Sequence, residues 1–307
     1  MRFGSSIREH ESFNKLLYTV VILNILCCLS ASNVTQNKTS MGRLKLDYYG
    51  GTEVKLGMLK HHVFLVKLTN KLKSEYRAFC SGSIIKDDRV LSSAHCFYTN
   101  RKRFKHTSRV LKAVGGILTT YVQHPVDEDD DVQQWRTIGK VYTQKFFRFP
   151  AYNLAVVEID KPWNFNQFVN KIPYASLNQN FDGVCLVTAV RPARSWSSHK
   201  FLFTEAFKML PRSECESKLL RDSRLYFCTE YDSRKLLMQS VESEGSALIC
   251  TGTGDPQEND SKQGLLVGVT SLIYTYLPTL HHKVGPFHKF VSLLERINFK
   301  SRKSKEN

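Results

Sequence analysis

The 307 residues are 42% hydrophobic, enough to bury one large core or two small ones, which sets aside a chain without a packed interior. A formal charge of +16 favours acidic partners: glycosaminoglycans, anionic membrane surfaces, nucleic acid or acidic proteins. A solvated basic surface accounts for it equally well.

Residues 1–32 read as a secretory signal. Arg2, Arg8 and Lys15 supply positive charge, diluted by Glu9 and Glu11, and Leu16–Leu29 is apolar. Ser30-Ala31-Ser32 offers small residues for cleavage. The apolar run falls short of the roughly 20 residues a spanning helix needs, so cleavage is favoured over a retained anchor. Cleavage takes Cys27 and Cys28 with it. An even set of cysteines then remains in an oxidising compartment, where bridges are expected. The sequons at Asn37 and Asn259 are candidate glycosylation sites, whereas Asn33 would be the mature terminus itself.

Residues 33–47 form an N-terminal segment without cysteine. From Lys55 onward the chain alternates in short β-prone runs, Val63–Leu68 first. Ser83–Ile85 and Val90–Leu91 then flank a charged turn, as in a hairpin. Cys80 precedes the first run and Cys96 follows the second. A bridge between them closes a loop of about fifteen residues, contributes about 3 kcal/mol on the chain-entropy model, and holds His95 in place.

Arg101, Lys102, Arg103 and Lys105 form a basic run on an expected surface loop, the strongest candidate for polyanion contact. Lys60, His61 and His62 are candidate neighbours. The acidic block Asp127–Asp131 is a second exposed loop that could pair with the run. The doublets His61-His62 and His281-His282 lack metal-ligand spacing with any carboxylate or cysteine, so they are expected at the surface and no metal is expected. Phe290, Leu293, Leu294 and Ile297 fall at helical spacing within Phe287–Ile297, an amphipathic C-terminal helix. Residues 298–307 are a basic tail.

Cys80-Ser81-Gly82-Ser83-Ile84-Ile85 running on to Leu91-Ser92-Ser93-Ala94-His95-Cys96 resembles the histidine loop of the chymotrypsin-like serine proteases, C-G-G-S-L-I followed by L-T-A-A-H-C. The resemblance covers residues 48–297. It implies an all-β fold of two packed antiparallel six-stranded β-barrels with a C-terminal helix, and a site in the cleft between the barrels. It also implies bridges Cys80–Cys96, Cys185–Cys250 and Cys215–Cys228. His95 falls on the general base of the family.

The other positions depart from the pattern. Asp47-Tyr48-Tyr49-Gly50-Gly51 resembles an activation site, but Asp47 stands where the cut needs a basic residue. Asn153, in a segment resembling the N-D-I-A-L-L strand, takes the place of the catalytic aspartate. In active members of the family an amide there lowers the rate by about 10⁴, because the imidazole is left in the wrong tautomer. Glu242-Ser243-Glu244-Gly245-Ser246-Ala247-Leu248-Ile249-Cys250 aligns without a gap on G-D-S-G-G-P-L-V-C. That puts Glu244 at the nucleophile and Glu242 and Glu244 at the oxyanion hole. Met238 and Ile273 fall at the specificity pocket.

The resemblance therefore implies a secreted, non-catalytic homologue that binds an extracellular protein, an active serine protease or its substrate, as a cofactor or decoy in a protease cascade. No cofactor, no nucleic acid and, after signal cleavage, no membrane is expected. Two alternatives stay open: an active endopeptidase using Ser243 or Ser246 after a local shift, and a heparin-type polyanion-binding module led by Arg101–Lys105 and the basic tail. With His95 facing an acidic residue, the two side chains are expected to pair.

Overall fold

The computed structural model describes residues 51–106, 111–124, 132–181, 183–192, 200–230, 240–259, 263–274 and 277–294. All of them belong to one compact unit, Leu46–Asn307. The signal, Asn37, Tyr48, the Asp127–Asp131 block, Met238 and the basic tail lie outside the described residues.

A two-residue strand, β1 (Thr52–Glu53), leads into β2 (His62–Asn70), β3 (Glu75–Lys86), β4 (Arg89–Ser92), β5 (Leu111–Gly115), β6 (Tyr121–Gln123), β7 (Gln134–Thr143) and β8 (Ala155–Ile159). The antiparallel order β2-β5-β7-β8-β4-β3 returns to β2, which makes a closed six-strand barrel with β6 attached to β3. Closure removes the unpaired edges that an open sheet would present. Strand periodicity explains how β2 serves two cores at once. Val63 and Leu65 point into the barrel with Ile84, Val90, Ala113 and Val157. Phe64 and Val66 point the other way, toward Trp135 and, from the second sheet, Val190 and Leu202.

That second sheet holds β9 (Val184–Pro192), β10 (Lys200–Lys208), β11 (Tyr226–Thr229), β12 (Ala247–Cys250), β13 (Leu265–Leu272) and β14 (Thr279–Lys283), in the order β10-β9-β12-β13-β14-β11, with β1 on its edge. A bridge between Met209 and Thr229 joins the end of β10 to β11. The Leu210 N–H donating to the Cys228 carbonyl at 2.8 Å, and the Glu230 N–H to the Lys208 carbonyl at 3.0 Å, complete a second six-strand ring. Leu91 and Val156 meet Ala247, Ile249 and Val269 in a further apolar cluster shared by the two barrels. The fold is thus the expected pair of six-stranded barrels. Among the described residues no helix is long and apolar enough to cross a membrane.

Helix α1 (Arg212–Leu219) carries Cys215, bonded to Cys228 on β11. The C-terminal helix α2 runs over residues 288–294, after a 3-10 turn at Gly285–Phe287. Val291 is its fully buried residue, with Phe290 and Leu294 packed alongside. Leu293, expected on the apolar face, is 53% exposed, because the helix turns about Val291 rather than about the Leu293 side.

The histidine doublets correct the sequence reading: His61, His62, His281 and His282 are all buried. His62 opens β2 opposite Ser83 and sets its ring edge-on to Phe64 at 4.8 Å. His281 lies mid-strand in β14, between β11 and β13, with its ring nitrogens 3.1 Å from the hydroxyls of Thr229 and Thr270. A strand paired on both edges and packed on both faces buries even consecutive polar residues. Burial drives His61 and His282 down to about 4, and His62 and His281 to about 3. The buried His61-His62 doublet therefore adds nothing to the charged surface of the Arg101–Lys105 loop.

Candidate functional site

His95 sits in a 3-10 turn, Ala94–Cys96, immediately after β4. The Cys80–Cys96 disulfide fastens the turn to β3. The His95 main-chain N–H donates to Asn153 Oδ1 at 2.7 Å, and the fully buried Asn153 donates through Nδ2 to Ser271 Oγ at 2.7 Å. Both ends of the amide are thereby used, and the bond to His95 goes to its main chain rather than to its ring. An amide suits this arrangement, because it can accept from one group while donating to the other.

The imidazole instead faces Glu244, as expected: Nδ1 lies 3.0 Å from Oε2, with the two side chains 30% and 14% exposed. An ionised carboxylate only accepts, so the Nδ1–H is the donor. The ring also stacks on Phe149, centroid to centroid 4.0 Å at 27°. Lys105 lies within the field of the same carboxylate. Partial burial pushes its ammonium below the ordinary lysine range, while the field of Glu244 pulls it back up.

Glu244 is held from both sides of its backbone. Its carbonyl accepts from the Ser81 N–H at 2.8 Å, and its own N–H donates to the Val241 carbonyl at 3.1 Å, closing the 3-10 turn Val241–Ser243. Gly245 follows with φ +88°, and a Cβ there would strike the Ser81 carbonyl oxygen and Ser92 Oγ. Glycine is needed at this position for both its φ and its size.

Glu242 is buried, with both carboxylate oxygens on Lys200 Nζ at 2.9 and 2.8 Å. Burial opposes its ionisation. Bonds from Lys200, Ser240 and its own main-chain N–H outweigh that and hold the carboxyl below its usual range. The N–H groups at 242 and 244, which the resemblance assigned to an oxyanion hole, thus bond to Glu242's own carboxylate and to Val241.

Ser243 and Ser246 are fully buried. Ser243 Oγ accepts from the Val190 N–H at 2.8 Å, and Ser246 Oγ donates to the Thr188 carbonyl at 2.6 Å. Both hydroxyls address β9, not His95. Ile273 is half-buried just beyond β13.

The sulfurs of Cys80 and Cys96 lie with a Glu244 oxygen inside 4.8 Å, but the disulfide engages both sulfurs, so this cluster offers no thiolate to a metal. The third bridge, Cys185–Cys250, ties β9 to β12. Arg101, Lys102, Arg103 and Lys105 are exposed, as is Asn259.

Sequence reasoning missed Phe149, Lys105 as a neighbour of Glu244, and Lys200. The signal for Lys200 was the buried acid itself: an ionised Glu242 inside a tight turn requires a cation. Nothing in the spacing says which of the many lysines supplies it.

Two barrels around a histidine turn define a protein of the chymotrypsin-like class. The Trypsin family matches residues 49–290, and the chain belongs to that family. It is 24% identical to coagulation factor IX of Cavia porcellus over 152 residues, 48% of this chain and 45% of that protein. It is 26% identical to coagulation factor IX of Oryctolagus cuniculus over 148 residues, 47% and 46% respectively. The chain thus spans under half the length of these relatives.

Proposed function

We propose that this protein is a secreted, non-catalytic member of the trypsin family that works by holding an extracellular protein, an active serine protease or its substrate, as a cofactor or decoy in a protease cascade. One observation carries the reading: Glu244, at the sequence position of the family's hydroxyl, sets a carboxylate 3.0 Å from His95 and on Nδ1, the nitrogen opposite to the Nε2 that would take a hydroxyl proton. A hydroxyl gains nucleophilicity by giving its proton to the imidazole. An ionised carboxylate has none to give and makes a poor acyl carrier.

Three further observations support it. Asn153 binds the main chain of His95 and does not orient its ring. Donors that would stabilise an oxyanion are bonded elsewhere. Ser243 and Ser246 are buried with their hydroxyls on β9. The apolar run at Leu16–Leu29 and the three disulfides support secretion.

The decisive experiment exposes purified, glycosylated protein to a fluorophosphonate probe and to a peptide library. Neither labelling nor cleavage is expected. Covalent labelling lost in Ser243→Ala or Ser246→Ala would make the protein an active endopeptidase. Pull-down from its native fluid, followed by mass spectrometry of what is retained, identifies the partner.

A further inference from the structure

Two loops distant in sequence make one exposed basic face beside the His95–Glu244 pair. The first is a tight reversal: Tyr98 bridges to Phe104, the Thr99 N–H donates to the Arg103 carbonyl at 2.9 Å, and the Lys105 N–H donates to the Phe97 carbonyl at 2.8 Å. The second, residues 144–153, is stitched to it at two points. Lys102 Nζ donates to the Lys145 carbonyl at 2.6 Å, and the Phe149 N–H donates to Asn100 Oδ1 at 2.7 Å.

Joining the loops adds Lys145 and Arg148 to the four cations of the first, all six exposed. Neither stretch, 97–106 or 144–153, contains an aspartate or glutamate. Glu244 acts on this face through Lys105. Exposed Lys67 extends the positive field, since it acts with Lys105 on His106. Two phenyl rings stand among the cations, Phe104 at 46% and Phe146 at 67% exposure.

We infer that this two-loop face is a binding site for a sulfated polysaccharide. The assignment rests on the extracellular reading above, since outside cells the abundant flexible polyanions are sulfated glycans. Guanidinium forks suit sulfate oxygens, and charge-assisted bonds of this kind are the stronger ones. Exposed phenyl rings offer flat apolar faces to the C–H faces of sugar rings. A carboxylate-free field also raises the local concentration of any extended anion.

Heparin chromatography and titration with a heparin decasaccharide test the site on the full secreted chain. Wild-type protein should elute above physiological salt. The variant Arg101→Ser/Arg103→Ser/Arg148→Ser should bind about tenfold or more weakly, with a shallower salt dependence. A charge-matched control, Lys55→Ser/Lys208→Ser/Lys289→Ser, alters exposed lysines off both loops and should bind like wild type. Equal losses in both triples would mean diffuse attraction to the overall charge and would overturn the site. Elution below physiological salt would do the same, and so would equally tight binding of a charge-matched DNA duplex. Near-ultraviolet circular dichroism confirms that each variant is folded. Labelling by a fluorophosphonate is read separately, so failure of the glycan site leaves the non-catalytic reading untouched.

Discussion

Mild acid should unfold this protein through its interior histidines. His61 and His282 titrate near 4 and His62 and His281 near 3 in the fold, against an ordinary value of 6.5. A lowered folded value means that the unfolded chain binds more protons. Stability is therefore fully present above about pH 6.5 and is lost as pH falls toward the folded values. At pH 5 each histidine lies 1.5 units below its unfolded value, and linkage puts the loss at about 2 kcal/mol apiece. Four such groups approach about 8 kcal/mol, comparable with the whole stability of a typical domain. The acids with lowered values, Glu216, Asp222, Glu242, Asp255 and Glu258, keep their stabilising contribution until the pH falls below about 4.5, so the windows separate. Urea midpoints at pH 7.5, 6.5, 5.5 and 5.0 would read this as a steep decline at constant m. His62→Phe removes one titrating ring whose nitrogens have no bond among the described residues, and it should remove about a quarter of the slope. A midpoint that stays level from pH 7.5 to 5 would refute the burial argument.

Lys200→Met strands the buried Glu242 carboxylate and should destabilise by about 3 kcal/mol in urea melts, with most of that recovered by adding Glu242→Gln. Gly245→Ala forces a side chain onto a left-handed φ and into the Ser81 carbonyl, so a loss of at least roughly 2 kcal/mol is expected in the same assay. Glu244→Ser restores a hydroxyl next to His95 but leaves Asn153 on the main chain and the donors at 242 and 244 engaged, so it should stay unlabelled by a fluorophosphonate. Rapid labelling of that variant would show that the surroundings of the hydroxyl had remained competent.

The two barrels were legible because their signals are covalent and local. The β-prone apolar run Val63–Leu68 is local, and six of the eight cysteines pair as the resemblance implied. The meeting of His95 with Glu244 was legible for a similar reason, since each sits in a segment whose flanking motif fixes its place. Burial of consecutive polar residues was not. His281-His282 looks like a surface doublet until β14 is seen between β11 and β13. Whether a strand is covered on both faces depends on partners far away in sequence. Contacts between loops failed to show for the same reason: nothing at Lys102 indicates that its amine ends on the carbonyl of Lys145.

The turn around residues 240–245 is better described as a satisfied structure than as a damaged one. To receive a substrate carbonyl, the Glu244 N–H would have to leave Val241, a loss of about 1 kcal/mol. Glu242 would also have to turn from Lys200 and its own N–H, leaving a buried ion pair broken at about 3 kcal/mol or more. Together these amount to about 4 kcal/mol, roughly a thousandfold in population at 1.4 kcal/mol per factor of ten. Substituting the side chain beside His95 does not touch that term, because it resides in the main chain of the turn and in Lys200 at the start of β10. On the non-catalytic reading proposed above, gaining the chemistry requires reopening the turn as well as replacing the acid.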